Sequence, residues 1–348
     1  WRTYRLVRGR VREEFPQVEG TDTFGENDWF SLEFDPETGY IRSLKKKNDG
    51  TEYFDGPGAM PAVIEDHGDT WAHGIRIFDK KKGQFTLQSI RCVERGPVKR
   101  VIRVTSVYGA SRLLQDFAIY RELDFISVKT RVDWHETFSM LKLLFPMNLS
   151  YLKAGWEIPY GVLRREPDGE EYPMQSFVDL EGANPGLDTD INGLSILNDG
   201  KTSGSVTGKV AALTVLRSPI YAHHEPYVPK EELEYVYIDQ GVQTFTYGLY
   251  PHDGCWERAD TARRGRQMNE KPVALFETYH DGELPMTGSL LRIEETNVLL
   301  GALKEAEDGS GDLVLRMAES AGRPCKTGVW LHGREERIDL SFTPFEIK

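Results

Sequence analysis

Alternation of apolar and polar residues is the dominant pattern of the chain, and it predicts β-strands. In DFISVKTRVDW, residues 124–134, the apolar Val128, Val132 and Trp134 alternate with polar residues. Successive side chains of a strand point to opposite faces, so this period of two predicts one face on a core and one in water. The segments KRVIRVTSVYG and QTFTYGLY alternate in the same way over shorter spans.

Turn signals separate the alternating segments. They combine Gly with Asp, Asn or Pro, and they occur at 35–39, 48–50, 199–200 and 308–309. Short strands divided by such turns, without a βαβ rhythm, predict large antiparallel sheets packed face to face. Helical periodicity is weak, and the segment DTARRGRQMNE, residues 260–270, predicts one short helix although Gly265 lies in its middle.

Two shifts in composition divide the chain. The first follows the polar run VEGTDTFGEN near residue 20, and the second lies near 265–290, where polar and turn-forming residues interrupt the strands. We therefore expect a linker or the edge of a preceding β unit over 1–20, a large β unit over 21–265, and a small β unit over 266–348.

The net charge and the cysteines indicate which partners and which cellular compartment to expect. The 348 residues carry a net charge of −12, so a phosphate backbone is not an expected partner. No apolar run reaches the roughly 18 residues of a membrane span. The three cysteines lie far apart and predict neither a disulfide framework nor a zinc site, which favours a reducing, cytoplasmic location. The chain opens at Trp1 without Met, so we expect it to be cut from a longer protein.

The segment EDHGDTWAHG, residues 65–74, concentrates acids, histidines and a tryptophan. His67 and His73 are six apart in a glycine-containing loop, a spacing that does not favour a self-contained metal site. A solvated loop without a role is one alternative. Contact with a carbohydrate is the other: if the segment is extended, Asp69, Trp71 and His73 project to one side, with an indole face for a sugar ring.

Arginine and histidine mark two further candidate positions. Arg217 follows the apolar run VAALTV and precedes Ser218, so we expect it at a strand end, where it can clamp a hydroxyl or carboxylate or form a surface salt bridge. His252 is adjacent to Asp253, and because neighbouring side chains diverge we expect a structural histidine in a turn. The chain contains no GxSxG, P-loop, GxGxxG or HExxH motif.

Five segments in order resemble the carboxy-terminal β region of glycoside hydrolase family 38, the retaining α-mannosidases. They are WRTYRLV (1–7), ENDWFSLEFDPETGYIRSLKKKNDGTEYF (26–54), VLRSP (215–219), DQGVQTFTYGLYPHDG (239–254) and ALKEAEDGSGDLVLRMAES (302–320). The loop EDHGDTWAHG is similar to the form found in the bacterial branch. The resemblance implies an all-β fold, with a large antiparallel supersandwich of the galactose-mutarotase type followed by a smaller β-sandwich.

The resemblance also implies a division of labour. In the family the nucleophile, the acid/base and the zinc ligands belong to an amino-terminal catalytic barrel and its adjoining helices, which the 348 residues lack. No residue here therefore inherits a catalytic or zinc-binding role, and the zinc is expected in the missing domain. By motif order, the residues expected at the rim of the sugar site are Asp69, Thr70, Trp71, His73 and Arg217.

We therefore interpret the chain as the carboxy-terminal domain of an α-mannosidase and expect it to be inactive without the catalytic barrel. Its expected partners are its own catalytic barrel and an α-mannoside oligosaccharide. The sequence does not decide whether the protein forms a homo-oligomer. One alternative is a mannoside-binding or structural module. Another is an aldose epimerase, which needs a histidine and a carboxylate and could recruit His135 with Glu136, or His223 with Glu225.

Overall fold

The fold is almost entirely β, as predicted. A computed structural model describes residues 1–9, 15–185, 187–223, 228–230, 232–333 and 337–348. Regular structure in these residues consists of strands, one α-helix and one short 3₁₀-helix. None of the helices described is long and apolar enough to cross a membrane.

Among the described residues, eighteen strands build the large unit. In chain order they are β1 (Phe24–Glu26), β2 (Phe30–Phe34), β3 (Ile41–Lys46), β4 (Met60–Glu65), β5 (Lys81–Gln84), β6 (Thr86–Arg95), β7 (Lys99–Tyr108), β8 (Ser111–Tyr120), β9 (Ile126–Trp134), β10 (Ser139–Pro146), β11 (Ser150–Ile158), β12 (Gly161–Arg165), β13 (Tyr172–Pro173), β14 (Phe177–Asn184), β15 (Leu187–Asn198), β16 (Ser203–Thr207), β17 (Val210–Ser218) and β18 (Gly241–Asp253). They form a three-stranded sheet, β1-β2-β3, a six-stranded sheet, β13-β16-β17-β10-β4-β5, and a nine-stranded sheet, β12-β11-β14-β15-β18-β9-β8-β7-β6.

The main core lies between the nine-stranded and six-stranded sheets. Strand β9 shows the predicted alternation, because Val128 and Val132 are fully buried while Lys129 and Arg131 are exposed. Across the core, the ring of Phe145 on β10 meets that of Tyr247 on β18 edge to face, at 6.2 Å between centroids. Each large apolar side chain buried here contributes roughly 1.5–3 kcal/mol, which makes this core the main source of stability.

The pairing of β10 brings two distant segments to one end of the six-stranded sheet. Ser139, the first residue of β10, lies opposite both Glu65 at the end of β4 and Ser218 at the end of β17. The loop that follows β4 therefore starts beside the last residues of β17. This register places the segment 65–74 next to Arg217.

The helix α1 spans Thr261–Asn269, which confirms the short helix predicted over 260–270. It packs on β14 and β15, where Ala262 and Met268 join Phe177 and Trp256 in a separate apolar cluster. Gly265 permits this close approach, since a Cβ atom there would lie 2.3 Å from Ser176 Oγ.

The small unit follows with five strands, β19 (Leu291–Ile293), β20 (Val298–Glu305), β21 (Leu313–Glu319), β22 (Cys325–Leu331) and β23 (Ile338–Phe342). They form the sheets β19-β22-β23 and β20-β21 around a core of Val298, Met317, Val329 and Phe342. The proposed boundary at 265/266 falls inside α1, which packs on β14 and β15 and also donates from Arg263 to the Thr296 carbonyl of the small unit. The domain limits stay a prediction.

Candidate functional site

The loop between β4 and β5 is folded back on itself instead of being extended. It contains a turn and a 3₁₀-helix, Ala72–Gly74. The backbone is left-handed at Ala72, His73 and Gly74, with φ of 57°, 41° and 84°. Asp69, Trp71 and His73 project to one side only if this segment is extended. The segment is not extended, so that part of the prediction is wrong.

An internal ion pair fixes the start of this loop. The carboxylate of Asp66 is fully buried, and the guanidinium of Arg217 holds it through Nε at 2.8 Å and Nη2 at 3.1 Å. The guanidinium also lies over the ring of Phe78, 5.0 Å from its centroid. Arg217 occupies a strand end, as predicted, but its bidentate fork binds a carboxylate of the same chain, so its role here is to position the loop.

Asp69 acts inside the loop. Its side chain is fully buried, and its Oδ1 accepts a hydrogen bond from the Trp71 backbone N–H at 2.8 Å. The same oxygen lies 2.9 Å from His73 Nε2. The Asp69 carbonyl accepts a hydrogen bond of 3.4 Å from Arg217 Nη2. Asp69 thus links the loop backbone, the imidazole and the Arg217 side chain.

Trp71 and His73 are exposed side chains of this loop, as is His67. The indole of Trp71 is 60% exposed, and the imidazole of His73 is partly exposed beside Asp69. Thr70 faces the neighbouring segment, where its Oγ1 accepts a hydrogen bond of 2.8 Å from the Ala222 N–H. A held aromatic face beside an imidazole suits a hydroxylated ring, and the arrangement contains no activated nucleophile.

The epimerase alternative gains no geometric support. His135 Nε2 lies 2.9 Å from Asp133, while Glu136 Oε1 accepts hydrogen bonds from Ser111 Oγ at 2.8 Å and the Ala110 N–H at 3.0 Å. Each group is therefore engaged with a different partner. For the second pair, Glu225 lies outside the described residues.

A buried polar network surrounds His252, and the sequence alone does not indicate it. His252 Nε2 lies 2.8 Å from Asp179 Oδ1, and Ser195 Oγ donates to the same oxygen at 2.6 Å. Gly193 makes room for the imidazole, since a Cβ atom there would lie 2.1 Å from its Cε1. His252 lies inside strand β18, so the predicted turn is wrong. Its buried imidazole has its partner on β14, and no spacing along the chain reveals that contact.

One cluster of potential metal ligands is present among the described residues. Ligand atoms of Glu181, Cys255 and Glu257 lie within 4.8 Å of one another. However, Arg164 Nη2 contacts both glutamates, at 2.8 Å and 3.4 Å, so a guanidinium already supplies positive charge there. The cluster contains no histidine and does not fit the zinc site that the family resemblance implies.

We expect Glu181 to make the stability of the chain depend on pH. Burial and then the carboxylate of Asp179 raise the pKa of Glu181 above its ordinary value of 4.5, while Arg164 opposes the shift. A raised pKa in the folded state means that the folded chain binds this proton more tightly than the unfolded chain, so stability falls as pH rises from about 4.5 through the raised pKa. In Glu181→Gln this loss is removed.

We therefore expect the free energy of unfolding of Glu181→Gln, relative to the parent chain, to increase from pH 4.5 to pH 8. Urea unfolding at a series of pH values measures it. Glu305→Gln, at an exposed position, serves as the control and should show no such trend. A constant or decreasing difference for Glu181→Gln contradicts the expectation.

Comparison with known proteins gives the same family that the sequence resembles. The model of the glycosyl hydrolases family 38 C-terminal domain matches residues 26–225, more than half of the chain. Alpha-mannosidase 2C1 of Mus musculus is 27% identical over 68% of this chain and 24% of its own length. Alpha-mannosidase G of Dictyostelium discoideum is 25% identical over 89% of this chain and 30% of its own length. The matched part of the chain thus spans 24% to 30% of the length of these relatives.

Solved structures show the same fold. An alpha-mannosidase from Enterococcus faecalis V583 superimposes with a TM-score of 0.79 at 17% identity, covering 98% of this chain and 43% of that one. A second Enterococcus faecalis protein, in the glycosyl hydrolase family 38, has the same TM-score at 18% identity and 45% coverage of its chain. Because the family model matches more than half of its residues, the chain belongs to the glycosyl hydrolases family 38 C-terminal domain family.

Proposed function

We propose that this chain is the carboxy-terminal β region of a retaining α-mannosidase, that it packs on the catalytic barrel of the same polypeptide, and that its loop 65–74 reaches the rim of the sugar site. The substrate is a terminal α-mannoside of an oligosaccharide. The relatives are α-mannosidases by name, and this chain corresponds to part of their length.

The observation that carries this proposal is the exposed indole of Trp71 on a loop held from beneath. Asp66, Asp69 and Arg217 fix the loop backbone through partly buried hydrogen bonds, so the backbone at Trp71 needs little ordering when the indole meets a sugar. In this assignment Trp71 and His73 contact the substrate. Asp69, Thr70 and Arg217 are positioning residues at the rim.

An exposed apolar segment supports packing on another region of the polypeptide. Residues 270–290, here called the strap, contain no helix or strand and join α1 to β19. Leu275 and Phe276 of the strap are almost entirely exposed, with Phe276 at 93%. The backbone N–H of Thr3 donates to the Met286 carbonyl at 2.8 Å, so an amino-terminal segment lies along the strap. Exposed apolar segments of this kind mark interaction surfaces.

The reaction itself requires groups outside this chain. Retaining hydrolysis needs two carboxyl groups about 5 Å apart on either side of the glycosidic bond, one of them the nucleophile. The exposed part of the loop offers an indole and an imidazole, which bind and orient a sugar ring. In this proposal the nucleophile, the acid/base and the zinc belong to the catalytic barrel.

The test compares the 348-residue chain with the longer protein that includes the catalytic barrel. We expect the chain alone to show no hydrolysis of an aryl α-mannoside and the longer protein to show zinc-dependent hydrolysis. In the longer protein, Trp71→Ala should lower kcat/KM about fivefold, because a stacking contact contributes on the order of 1 kcal/mol.

Tyr151→Ala is the matched control, since Tyr151 is an exposed aromatic residue on β11 of the other large sheet. It should leave kcat/KM unchanged. Robust hydrolysis by the chain alone, or equal effects of the two substitutions, would overturn the proposal.

A further inference from the structure

A pocket of about 320 Å³ lies at the carboxyl end of β18. The turn between β1 and β2, the end of β3, the turn between β8 and β9, and the segment before α1 surround it. The lining residues used below are Asp28, Trp29, Lys46, Asp124, Asp253 and Arg258. We call this the β18 pocket.

The β18 pocket is separate from the loop 65–74. Gln240, which precedes β18, bonds Ser218 next to Arg217, whereas Asp253 is the last residue of the strand. Thirteen residues of β18 lie between these two ends. At about 3.3 Å per residue an extended strand of this length spans roughly 40 Å.

Trp29 is held firmly at the edge of this pocket. The side-chain amide of Asn27 donates to the carbonyls of Tyr120 and Leu123 at 2.8 Å and 2.9 Å, and its Oδ1 accepts the Trp29 N–H at 3.0 Å. These bonds tie the β1–β2 turn to the β8–β9 turn. The indole is 40% exposed, so an aromatic face is accessible on this fixed backbone.

Two charged side chains of the pocket are uncommitted. In the part of the chain that the structure describes, neither the carboxylate of Asp28 nor the guanidinium of Arg258 forms a side-chain hydrogen bond or ion pair. One is an acceptor and the other is a donor. A ligand with several hydroxyl groups satisfies both.

The other charges are already neutralised. Lys46 is buried and its ammonium contacts Asp49 at 2.9 Å as well as Asp253, while Asp124 accepts a bond of 2.6 Å from Arg264. Asp253 remains 71% exposed at its side chain and adds a second acceptor. The pocket therefore has no excess positive charge for a phosphate or a polyanion.

We propose that the β18 pocket binds a neutral pyranose unit. Trp29 stacks on the C–H face of the ring, Asp28 and Asp253 accept hydrogen bonds from ring hydroxyls, and Arg258 donates to a hydroxyl or ring oxygen. A pocket volume near 300 Å³ is in the range of small-molecule sites. The inference is independent of the proposed catalytic partner.

The test is calorimetric titration of the 348-residue chain with methyl α-D-mannopyranoside and methyl α-D-glucopyranoside. We expect saturable binding of at least one sugar at millimolar concentration. Trp29→Ala should weaken it about fivefold, since a lost stacking contact of roughly 1 kcal/mol corresponds to that factor. Trp29→Phe should retain most of the affinity.

Two further variants locate the effect. Arg258→Ala should also weaken binding, whereas Tyr151→Ala, at an exposed aromatic position that does not line the pocket, should leave it unchanged. Equal thermal midpoints of all variants establish that each remains folded. Absence of saturable binding by the parent chain, unchanged affinity in folded Trp29→Ala, or binding of inorganic phosphate in place of both sugars would overturn the inference. Because hydrolysis is not measured, these results do not bear on the proposed function.

Discussion

Lys142→Met should lower the free energy of unfolding by about 3–5 kcal/mol, the cost of leaving a buried charge without its partner. Lys142 lies in β10 within the six-stranded sheet, and its side chain is almost completely buried. Its ammonium contacts Glu171 Oε2 at 2.6 Å and Ser205 Oγ at 3.0 Å. Without Lys142, the carboxylate of Glu171 keeps hydroxyl partners but loses its positive charge.

Urea or thermal unfolding of the folded chain measures this loss. The double variant Lys142→Met with Glu171→Leu should recover much of the stability, because it removes both charges instead of one. Lys45→Met, at an exposed position of β3, is the control and should change the free energy of unfolding by less than about 0.5 kcal/mol. A loss below 1 kcal/mol in Lys142→Met would show that the pair carries little of the stability.

Arg217→Met should cost a similar amount, about 3–5 kcal/mol, and should also release the loop 65–74. The carboxylate of Asp66 is fully buried and accepts both bonds of the Arg217 fork. The substitution leaves that charge unpaired and removes the contact with the Asp69 carbonyl. We expect faster amide exchange across Asp66–Ile75 together with the loss of global stability.

Arg76→Met provides the comparison for Arg217. Arg76 is largely exposed and lies 3.7 Å from Glu170, so this surface pair contributes between 0 and about 1 kcal/mol. If both substitutions had equal effects on unfolding and on amide exchange in the loop, the Asp66–Arg217 pair would not be what holds the loop.

Several elements of the fold follow directly from local patterns in the sequence. The period of two over 126–134 yields β9 with its buried Val128 and Val132, and the segment 260–270 yields α1. Turn residues act locally as well: Asp35 Oδ1 accepts the N–H groups of Glu37 and Thr38, and Gly39 adopts φ of 72°. Each of these signals depends on residues within a few positions of one another.

Strand pairing and buried contacts depend on residues far apart in the chain. Asp66 and Arg217 are separated by 151 positions, and His252 and Asp179 by 73. The contact between Asp66 and Arg217 forms because β10 pairs with both β4 and β17. The sequence alone therefore could not decide whether Arg217 clamps a ligand or forms a surface salt bridge. For the same reason the sequence did not reveal that Asp69, which was expected at the sugar rim, is buried.

The sequence by itself determined the family, the all-β class and the loop 65–74 as a place of interest, since all three depend on local pattern or on motif order. Only the tertiary structure decided which side chains of that loop are exposed, because burial depends on what the opposite strands place against them. It alone brought Trp29, Asp28 and Arg258 around one pocket, from segments that lie more than 200 residues apart.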